Sequence, residues 1–181
     1  MWMVDGVTRM EMIIKRTSEL TNEDISMLIK LKQQYWPYDT ESQKRWLLDN
    51  INHDDYHVML TDGVVLFAYL NMVNVEVTVD NQQYKMLGVG NVCVDGSQTN
   101  NGLGGVLMAY INAFIKKTQL CGVLLCKEEV IDFYRKSNWK VMTANKVVVQ
   151  GCPFDHYVMM YDPMKVITSR PSSLVSFSRN F

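Results

Sequence analysis

A polar loop that contains glycine and precedes a helical pattern is the segment best suited to bind a ligand. Asp95–Gly102 follows a valine-rich stretch, and apolar residues then recur with helical spacing over Leu103–Ile115. The N-terminus of a helix carries unpaired backbone N–H groups and the positive end of the helix dipole, so it favours anions. Gly102, Gly104 and Gly105 leave the backbone accessible to phosphate oxygens. Because this segment has no Lys or Arg, we expect backbone amides to hold the phosphate.

Two common nucleotide-binding motifs do not fit this loop. A P-loop needs a Lys after its last glycine, and no Lys follows these glycines. A dinucleotide fingerprint needs GxGxxG near the start of a parallel βαβ unit. The segment Gly102–Leu107 lacks the last glycine and follows several strands that are linked as hairpins. Both motifs are therefore excluded.

Strand and helix patterns alternate along the chain and must position this loop. Their order, β-α-α-β-β-β-α-β-α-β-β, predicts an α/β (α+β) fold with a central mixed, mostly antiparallel sheet flanked by helices. The dipeptide Asp62-Gly63 predicts a type I′ hairpin turn, and we expect the last two strands to pair with each other. The predicted helices begin at Thr21, Thr40, Leu103 and Glu128, and the predicted strands are Met10–Lys15, His57–Thr61, Val64–Leu70 with continuation to Val79, Tyr84–Val94, Gly122–Cys126, Val147–Val149 and Tyr157–Tyr161.

The chain length of 181 residues suits one domain. We assign residues 1–164 to that domain. Residues 165–181 are rich in serine around Pro171, and we interpret them as a C-terminal tail. An edge strand within Val147–Tyr161, or the tail, leaves a homodimer open as an arrangement.

Composition excludes several classes of function. The formal net charge of −1 argues against nucleic-acid binding, which needs a basic surface. No apolar run approaches the roughly 18 residues that span a bilayer, so we expect no membrane segment. The four cysteines form no CxxC pair and the chain has three histidines, so we expect no structural metal site. We expect reduced thiols and a cytoplasmic protein.

Two linked motifs resemble those of the GNAT N-acetyltransferase superfamily, and the resemblance extends from about Met10 to Tyr161. The first is a valine-rich strand, a glycine loop and an amphipathic helix, represented here by Val92–Asp95, Thr99–Gly104 and Gly105–Met108. The second is a helix that ends in a Leu-Tyr-x-x-x-Gly-Phe-like run, represented here by Phe133–Trp139. The resemblance implies the GNAT fold and an acyl-CoA co-substrate.

The resemblance implies acetyl-CoA as the co-substrate and a set of residues that bind it. Backbone groups of Val92 and Val94 would bind the pantetheine arm, and amides of Asn100–Gly105 would bind the pyrophosphate. The N–H of Val92 or Cys93 would polarise the thioester carbonyl. The full implied set is Val92, Cys93, Val94, Thr99, Asn100, Asn101, Gly102, Leu103, Gly104 and Gly105.

The implied reaction moves the acetyl group to a primary amine of a small molecule by direct attack. Tyr134 occupies the general-acid position of the family and would protonate the leaving thiolate. The general base stays open: a water held by Asn91 or by a backbone carbonyl, or one of Glu76, Asp95 and His57. We therefore assign Tyr134 and Asn91 as the catalytic residues.

Three positions depart from the family pattern. Thr99 stands where Arg or Gln is usual, Asn138 replaces Gly, and Lys127 stands near the place of a frequent Asn. Asn tolerates a positive φ better than other residues with a side chain, so Asn138 is a mild change. The missing Arg or Gln keeps one alternative open, a non-catalytic module of the same fold that binds an acyl-CoA or a partner protein.

The acceptor and the acyl chain have their own candidate residues. The aromatic run Tyr35–Asp39 suits a cationic amine, or it closes the first helix onto the sheet. Within the family, the chain looks more like small-amine enzymes such as the aminoglycoside 2′-N-acetyltransferase branch. A longer acyl chain would need a deep pocket lined by Leu66, Phe67 and Leu70. Cys126, at the end of a central strand, is a candidate for a covalent acyl-enzyme or a small residue beside the acyl group.

Overall fold

A computed structural model describes residues 9–167 and 172–181. Its helices are α1 (Asn22–Lys32), α2 (Thr40–Asn50), α3 (Leu103–Thr118) and α4 (Ile131–Arg135). Its strands are β1 (Glu11–Arg16), β2 (Tyr56–Thr61), β3 (Leu66–Val79), β4 (Gln82–Val94), β5 (Cys121–Cys126), β6 (Lys140–Met142), β7 (Ala144–Val149), β8 (Cys152–Pro153), β9 (Tyr157–Tyr161) and β10 (Ser172–Phe177). No helix within these described ranges is long and apolar enough to cross a bilayer.

Side-chain caps fix where the first two helices begin. Thr21 and Asp24 form a capping box at α1, in which the Asp24 N–H donates to Thr21 Oγ1 and the Thr21 N–H donates to Asp24 Oδ2. Asp39 caps α2 by accepting from the Ser42 N–H at 2.8 Å. Both starts agree with the sequence-based prediction.

The strands form one mixed sheet with the order β6-β9-β5-β4-β3-β10-β7-β8, and β1 joins it through β2. Strand β3 has 14 residues and organises the sheet. Its first half pairs with β2, its last residues pair with β10 on the same edge, and β4 runs along its other edge. Strands β4 and β5 are parallel, as are β7 and β10, and the other pairs are antiparallel. This architecture confirms the predicted fold class.

Helices cover both faces of the sheet. Alternate residues of β3 face opposite sides, so Leu70 and Met72 pack with α3 and α4, while Tyr69 and Val73 face α1 and α2. On the α3 side, Trp139 is 1 % exposed, and its indole N–H donates to Asn112 Oδ1 at 2.9 Å. Helix α3 therefore lies on the opposite side of the sheet from α1 and α2.

One hairpin turn differs from the type that its dipeptide predicts. A type I′ turn needs positive φ at both central residues, but at Asp62-Gly63 only Gly63 has it, at 91°. The Asp62 carboxylate instead accepts from the N–H groups of Val64 and Val65, which stabilises a longer turn. The turn between β3 and β4 has positive φ at both Asp80 and Asn81, at 45° and 72°.

The prediction that the last two strands pair with each other is wrong. Strand β7, which contains Val147–Val149, pairs with β8 and β10. Strand β9 pairs with β5 and β6 instead. The two strands lie in different halves of the sheet because β10 fills the place between β3 and β7. The helix expected from Glu128 is a 3-10 turn, Glu128–Val130, followed by α4.

The interpretation of residues 165–181 as a tail is also wrong for the part that the structure describes. Val175 and Phe177 of β10 are fully buried on the α1 and α2 side, so the strand contributes to the core. The serines alternate with these apolar residues, and this alternation is typical of a strand with one buried face. Ser169 and Pro171, which marked the tail in the sequence, lie outside the described residues.

The residues after β10 are tied to the sheet by polar contacts. The Ser178 N–H donates to the Glu76 carbonyl, and the Ser178 hydroxyl accepts from the Glu76 N–H. Arg179 forms an ion pair with Asp55 at 2.8 Å, where the two side chains are 15 % and 1 % exposed. Asp55 also accepts from the N–H groups of Asn52 and Asn74. This ion pair joins the start of β2, the middle of β3 and the C-terminal segment.

Replacing Arg179 with Met should therefore lower the free energy of unfolding by about 3–5 kcal/mol, because it leaves the Asp55 charge buried without its partner. Chemical denaturation measures this loss. Arg135→Met is the matched control, since Arg135 pairs with Asp132 on an exposed surface and its loss should cost less than about 1 kcal/mol. Equal losses in the two variants would contradict the structural role of the Arg179 pair.

Candidate functional site

Strands β4 and β5 stop pairing partway along their length. Their parallel pairing ends at Val89 and Leu124. Beyond this point β4 continues through Gly90–Val94, while Leu125 and Cys126 of β5 pair only with β9. We call this opening the β4–β5 split. Backbone groups of β4 that face β5 are available there for a ligand.

A β-bulge at Asn91 accompanies the split. Asn91 has a φ of 51°, and the register between β3 and β4 shifts between Tyr69 and Asn71. Val92 has no paired residue on β3 or on β5. The bulge thus frees backbone groups at the point where the strands diverge.

The side chain of Asn91 is held by a residue that sequence analysis did not select. The Asn91 Nδ2 group donates to Asn71 Oδ1 at 2.6 Å. Asn71 is completely buried, and its own Nδ2 has no hydrogen-bond partner among the described residues. An unpaired buried donor costs free energy, so this group is suited to bind a water or a ligand. The only signal in the sequence is an Asn within the apolar stretch of β3.

The N-terminus of α3 lies at the end of β4 and leaves its first amides free. Gly102 is the N-cap, with a φ of 77°, and no side chain caps the helix. The first helical hydrogen bond runs from the Val106 N–H to the Gly102 carbonyl. The N–H groups of Leu103–Gly105 therefore have no partner within the helix. These are among the amides to which the sequence analysis assigns the anion site.

Glycine stands at three positions of this loop for different structural reasons. Gly102 adopts a left-handed conformation that favours glycine. A Cβ at Gly104 would lie 3.0 Å from the ring of Phe133, so Gly104 allows α4 to pack against α3. A Cβ at Gly105 would meet nothing within 4 Å. Helix packing therefore explains Gly104, whereas at Gly102 and Gly105 the space beside the backbone is open.

The rest of the loop is fixed by local hydrogen bonds. Thr99 Oγ1 donates to the Gly96 carbonyl at 3.0 Å, and Asn101 Nδ2 donates to the Gln98 side chain at 3.0 Å. Asn100 has a φ of 68°. Thr99 therefore supports the loop backbone, although it lacks the long side chain that is usual at this position.

The end of α1 holds the end of β4. Gln34 accepts from the Gly96 N–H and donates to the Asp95 carboxylate, at 2.8 and 2.9 Å. The Tyr35 hydroxyl donates to the Val94 carbonyl. The Val94 carbonyl is thus already paired. Of the two alternatives for Tyr35–Asp39, these contacts and the Asp39 cap favour closure of the helices onto the sheet.

Tyr134 of α4 packs on the α3 side of the sheet, near the thiols of Cys126 on β5 and Cys93 on β4. It is 8 % exposed and packs in the core there. Burial, and then the nearby thiols of Cys126 and Cys93, raise the pKa of Tyr134 above its ordinary value. The phenol therefore stays protonated at neutral pH. Asn138, at a φ of 65°, ends the segment that carries Tyr134, as its sequence position predicted.

A family comparison agrees with this geometry. The family model described as an acetyltransferase (GNAT) domain matches residues 16–142. The chain belongs to the GNAT acetyltransferase family. No curated protein sequence matches the chain significantly.

Solved structures with low sequence identity share the GNAT fold. Escherichia coli ElaA has a TM-score of 0.62 and 18 % identity over 84 % of this chain and 99 % of that chain. An acyl-CoA N-acyltransferase from Pseudomonas aeruginosa has a TM-score of 0.60 and 19 % identity over 84 % of this chain and 99 % of that chain. An aminoglycoside 6′-N-acetyltransferase complexed with coenzyme A has a TM-score of 0.60 and 15 % identity over 82 % of this chain and 96 % of that chain.

In this GNAT domain, His57 is sequestered from the split. It is completely buried, with Nδ1 2.8 Å from the Tyr69 hydroxyl and Nε2 3.1 Å from Thr17 Oγ1. Burial, and then the charge of Lys32, lower the pKa of His57 to about 4, against a smaller opposing effect of Asp24. A neutral imidazole with both nitrogens engaged does not fit the role of general base.

The other candidate bases are also poorly placed. Asp95 caps the turn after β4, and hydrogen bonds from Ser97 and Gln34 hold its pKa below the ordinary value. Glu76 is exposed and lies five residues along β3 from Asn71, or about 17 Å. Neither carboxylate reaches the bulge at Asn91.

The remaining sequence candidates lie in the core or at the surface. Burial raises the pKa of the Cys126 thiol to about 11, so it is not a thiolate at neutral pH. Leu66 and Leu70 belong to clusters on opposite sides of the sheet, so together with Phe67 they do not line one acyl pocket. Lys127 is exposed at the start of the 3-10 turn before α4.

Lys32 is a buried cation that sequence analysis missed. It is 2 % exposed, and its ammonium nitrogen lies 4.0 Å from the ring centre of Trp46 and 5.9 Å from that of Trp36. Burial lowers the pKa of Lys32 to about 8. A lysine at a helix end is normally taken as exposed, so its neighbours along the chain give no signal of this cation–π contact.

The buried His57 predicts a specific pH dependence of stability. Between about pH 6.5 and 4 the unfolded chain binds a proton at this residue while the folded chain does not, so stability falls as the pH falls. In His57→Gln, the fall in the free energy of unfolding between about pH 6.5 and 4 should be smaller by up to about 3 kcal/mol. Urea unfolding across this range measures it. The exposed His156→Gln is the control and should keep the wild-type slope, and a wild-type slope in His57→Gln would contradict the account.

Proposed function

We propose that this chain is an acetyl-CoA-dependent N-acyltransferase that acetylates a primary amine of a small molecule. The observation that supports it is the convergence of three features at one end of the sheet. These are the β4–β5 split, the free amides at the N-terminus of α3, and the protonated Tyr134 phenol. Family membership supports the same class of chemistry.

The co-substrate would extend from the α3 N-terminus into the split. Amides of Asn100 and of Gly102–Gly105 would bind the pyrophosphate through hydrogen bonds and the helix dipole, since the Asn101 N–H already donates to the Gln98 carbonyl. Because Tyr35 already pairs the Val94 carbonyl, the free backbone groups of Val92 are the better candidates to bind the pantetheine arm. The N–H of Val92 or Cys93 would then stabilise the negative charge on the thioester oxygen.

The reaction we propose is direct attack of the amine on the thioester. The amine nitrogen forms a bond to the carbonyl carbon, and the carbon–sulfur bond of the tetrahedral intermediate breaks. Tyr134 donates its proton to the departing thiolate, a step that its protonated state allows. The Tyr134 phenolate then regains a proton from solvent.

A water at Asn91 is our proposal for the proton acceptor from the amine. Asn91 and Asn71 form the one polar side-chain pair at the bulge, and the free Asn71 Nδ2 can donate to this water. His57, Asp95 and Glu76 do not reach this position. A water held by two neutral amides is a weak base, so the acceptor amine must enter the site with its lone pair free.

Tyr134→Phe should lower kcat by at least about 100-fold and leave the affinity for acetyl-CoA unchanged. The hydroxyl acts on the leaving group, whereas the backbone binds the co-substrate. Release of the CoA thiol, measured with a thiol reagent, gives kcat, and calorimetry gives the affinity. Tyr110→Phe, at a partly exposed tyrosine of α3, is the control and should keep wild-type kinetics.

The acceptor for this assay comes from a panel that contains kanamycin, spermidine and short peptides with a free N-terminus. Wild-type turnover in Tyr134→Phe would remove this residue from the mechanism. Binding of CoA without acetylation of any panel amine would favour the non-catalytic module of the same fold.

A further inference from the structure

The segment after β10 ends against β4 at the split. Ser178 and Arg179 anchor it to β3 and to Asp55. The Phe181 ring then packs 6.1 Å from the ring of Phe177, and Phe181 is 9 % exposed. A segment fixed at successive points in this way is a rigid part of the fold.

Two glycines of β4 make room for Phe181. A Cβ at Gly90 would lie 2.6 Å from the main-chain carbonyl carbon of Phe181 and 2.9 Å from its oxygen. A Cβ at Gly88 would lie 2.9 Å from the Phe181 ring. Neither glycine has a positive φ, so close approach is what requires them here. Phe181 therefore contacts β4 through both its ring and its backbone.

The position of this contact relates Phe181 to the proposed reaction. Gly90 is the first residue of β4 beyond its pairing with β5. Phe181 packs on the α1 and α2 side of the sheet, whereas the α3 N-terminus and Tyr134 lie on the other side. A co-substrate that enters from the α3 side would expose its thioester towards Phe181. The buried Asn71 Oδ1 also lies 3.3 Å from where a Gly90 Cβ would be, so the polar pair at the bulge is adjacent.

We propose that Phe181 determines acceptor specificity by forming one wall of the amine site, and that it restricts the acceptor to a primary amine on an unbranched chain. This inference rests on the proposed function. Because the ring and the backbone of residue 181 both touch β4, no space remains between them and the strand. The main chain of residue 181 lies over Gly90 and its ring lies over Gly88, so an amine that approaches Asn91 from this side meets residue 181. The carbonyl oxygen of Phe181 can accept an N–H of the incoming amine, which would orient its lone pair towards the thioester.

Calorimetry with two CoA thioethers tests this wall without a known acceptor. Both carry a –CH2–CO–NH–R group on sulfur, where R is n-butyl in one and tert-butyl in the other. The wild-type protein should bind the n-butyl compound at least about tenfold more tightly than the tert-butyl compound. In Phe181→Ala this ratio should fall to about twofold or less, while the Kd for CoA itself stays unchanged.

Further variants distinguish a specific effect of residue 181 on this ratio from a general loss of folded structure. Phe181→Leu retains buried apolar volume and should give an intermediate ratio. Gly90→Ala displaces the backbone of residue 181 and should also lower the ratio. Phe154→Ala, at a partly buried phenylalanine beside β7, is the control and should keep the wild-type ratio. Circular dichroism establishes that each variant is folded.

An unchanged ratio in a folded Phe181→Ala variant that binds CoA normally would overturn the proposal. An equal affinity of the wild-type protein for both thioethers would overturn it as well. Failure of the wild-type protein to bind CoA at all is a different outcome, because it would overturn the proposed function and this inference with it.

Discussion

Backbone N–H and C=O groups in a sheet need partners, and the divergence of β4 from β5 leaves several of them free at one place. The pairing ends at Val89 and Leu124, and the bulge at Asn91 also interrupts the pairing of β4 with β3, which resumes at Cys93. Such a gap in a central sheet is unfavourable unless a ligand or a side chain satisfies it. The surrounding elements either hold this gap open or supply groups that act within it.

Contacts on both sides keep the gap in shape. Gln34 and Tyr35, which follow α1, hold the end of β4, and this fixes the backbone that leads into the loop before α3. Asn71 holds the side chain of Asn91. Phe181 fills the space above Gly88 and Gly90 on the opposite side from Tyr134. In our proposal, the α3 side therefore receives the co-substrate and the α1 and α2 side receives the amine.

Sequence analysis found the parts of this site that are local in the chain. The loop before α3 and the segment around Tyr134 have short-range signals, namely glycines, helical spacing and a cap at Asn138. The parts formed by distant residues were missed. Phe181 meets Gly90 across about ninety positions, and the serines around β10 concealed its alternating pattern. Lys32 was missed, and His57 was left open as a base, because burial, which changes their pKa values, depends on packing that a single segment does not encode.

A crystal structure with bound CoA tests the central claim of this account most directly. We expect the CoA sulfur to lie in the β4–β5 split, within about 3–4 Å of the Tyr134 hydroxyl, as proton transfer requires. The pyrophosphate should contact the amides of Asn100 and of Gly102–Gly105. Binding of CoA at another surface, or a sulfur atom that lies beyond the reach of Tyr134 and of the Val92 and Cys93 N–H groups, would contradict it.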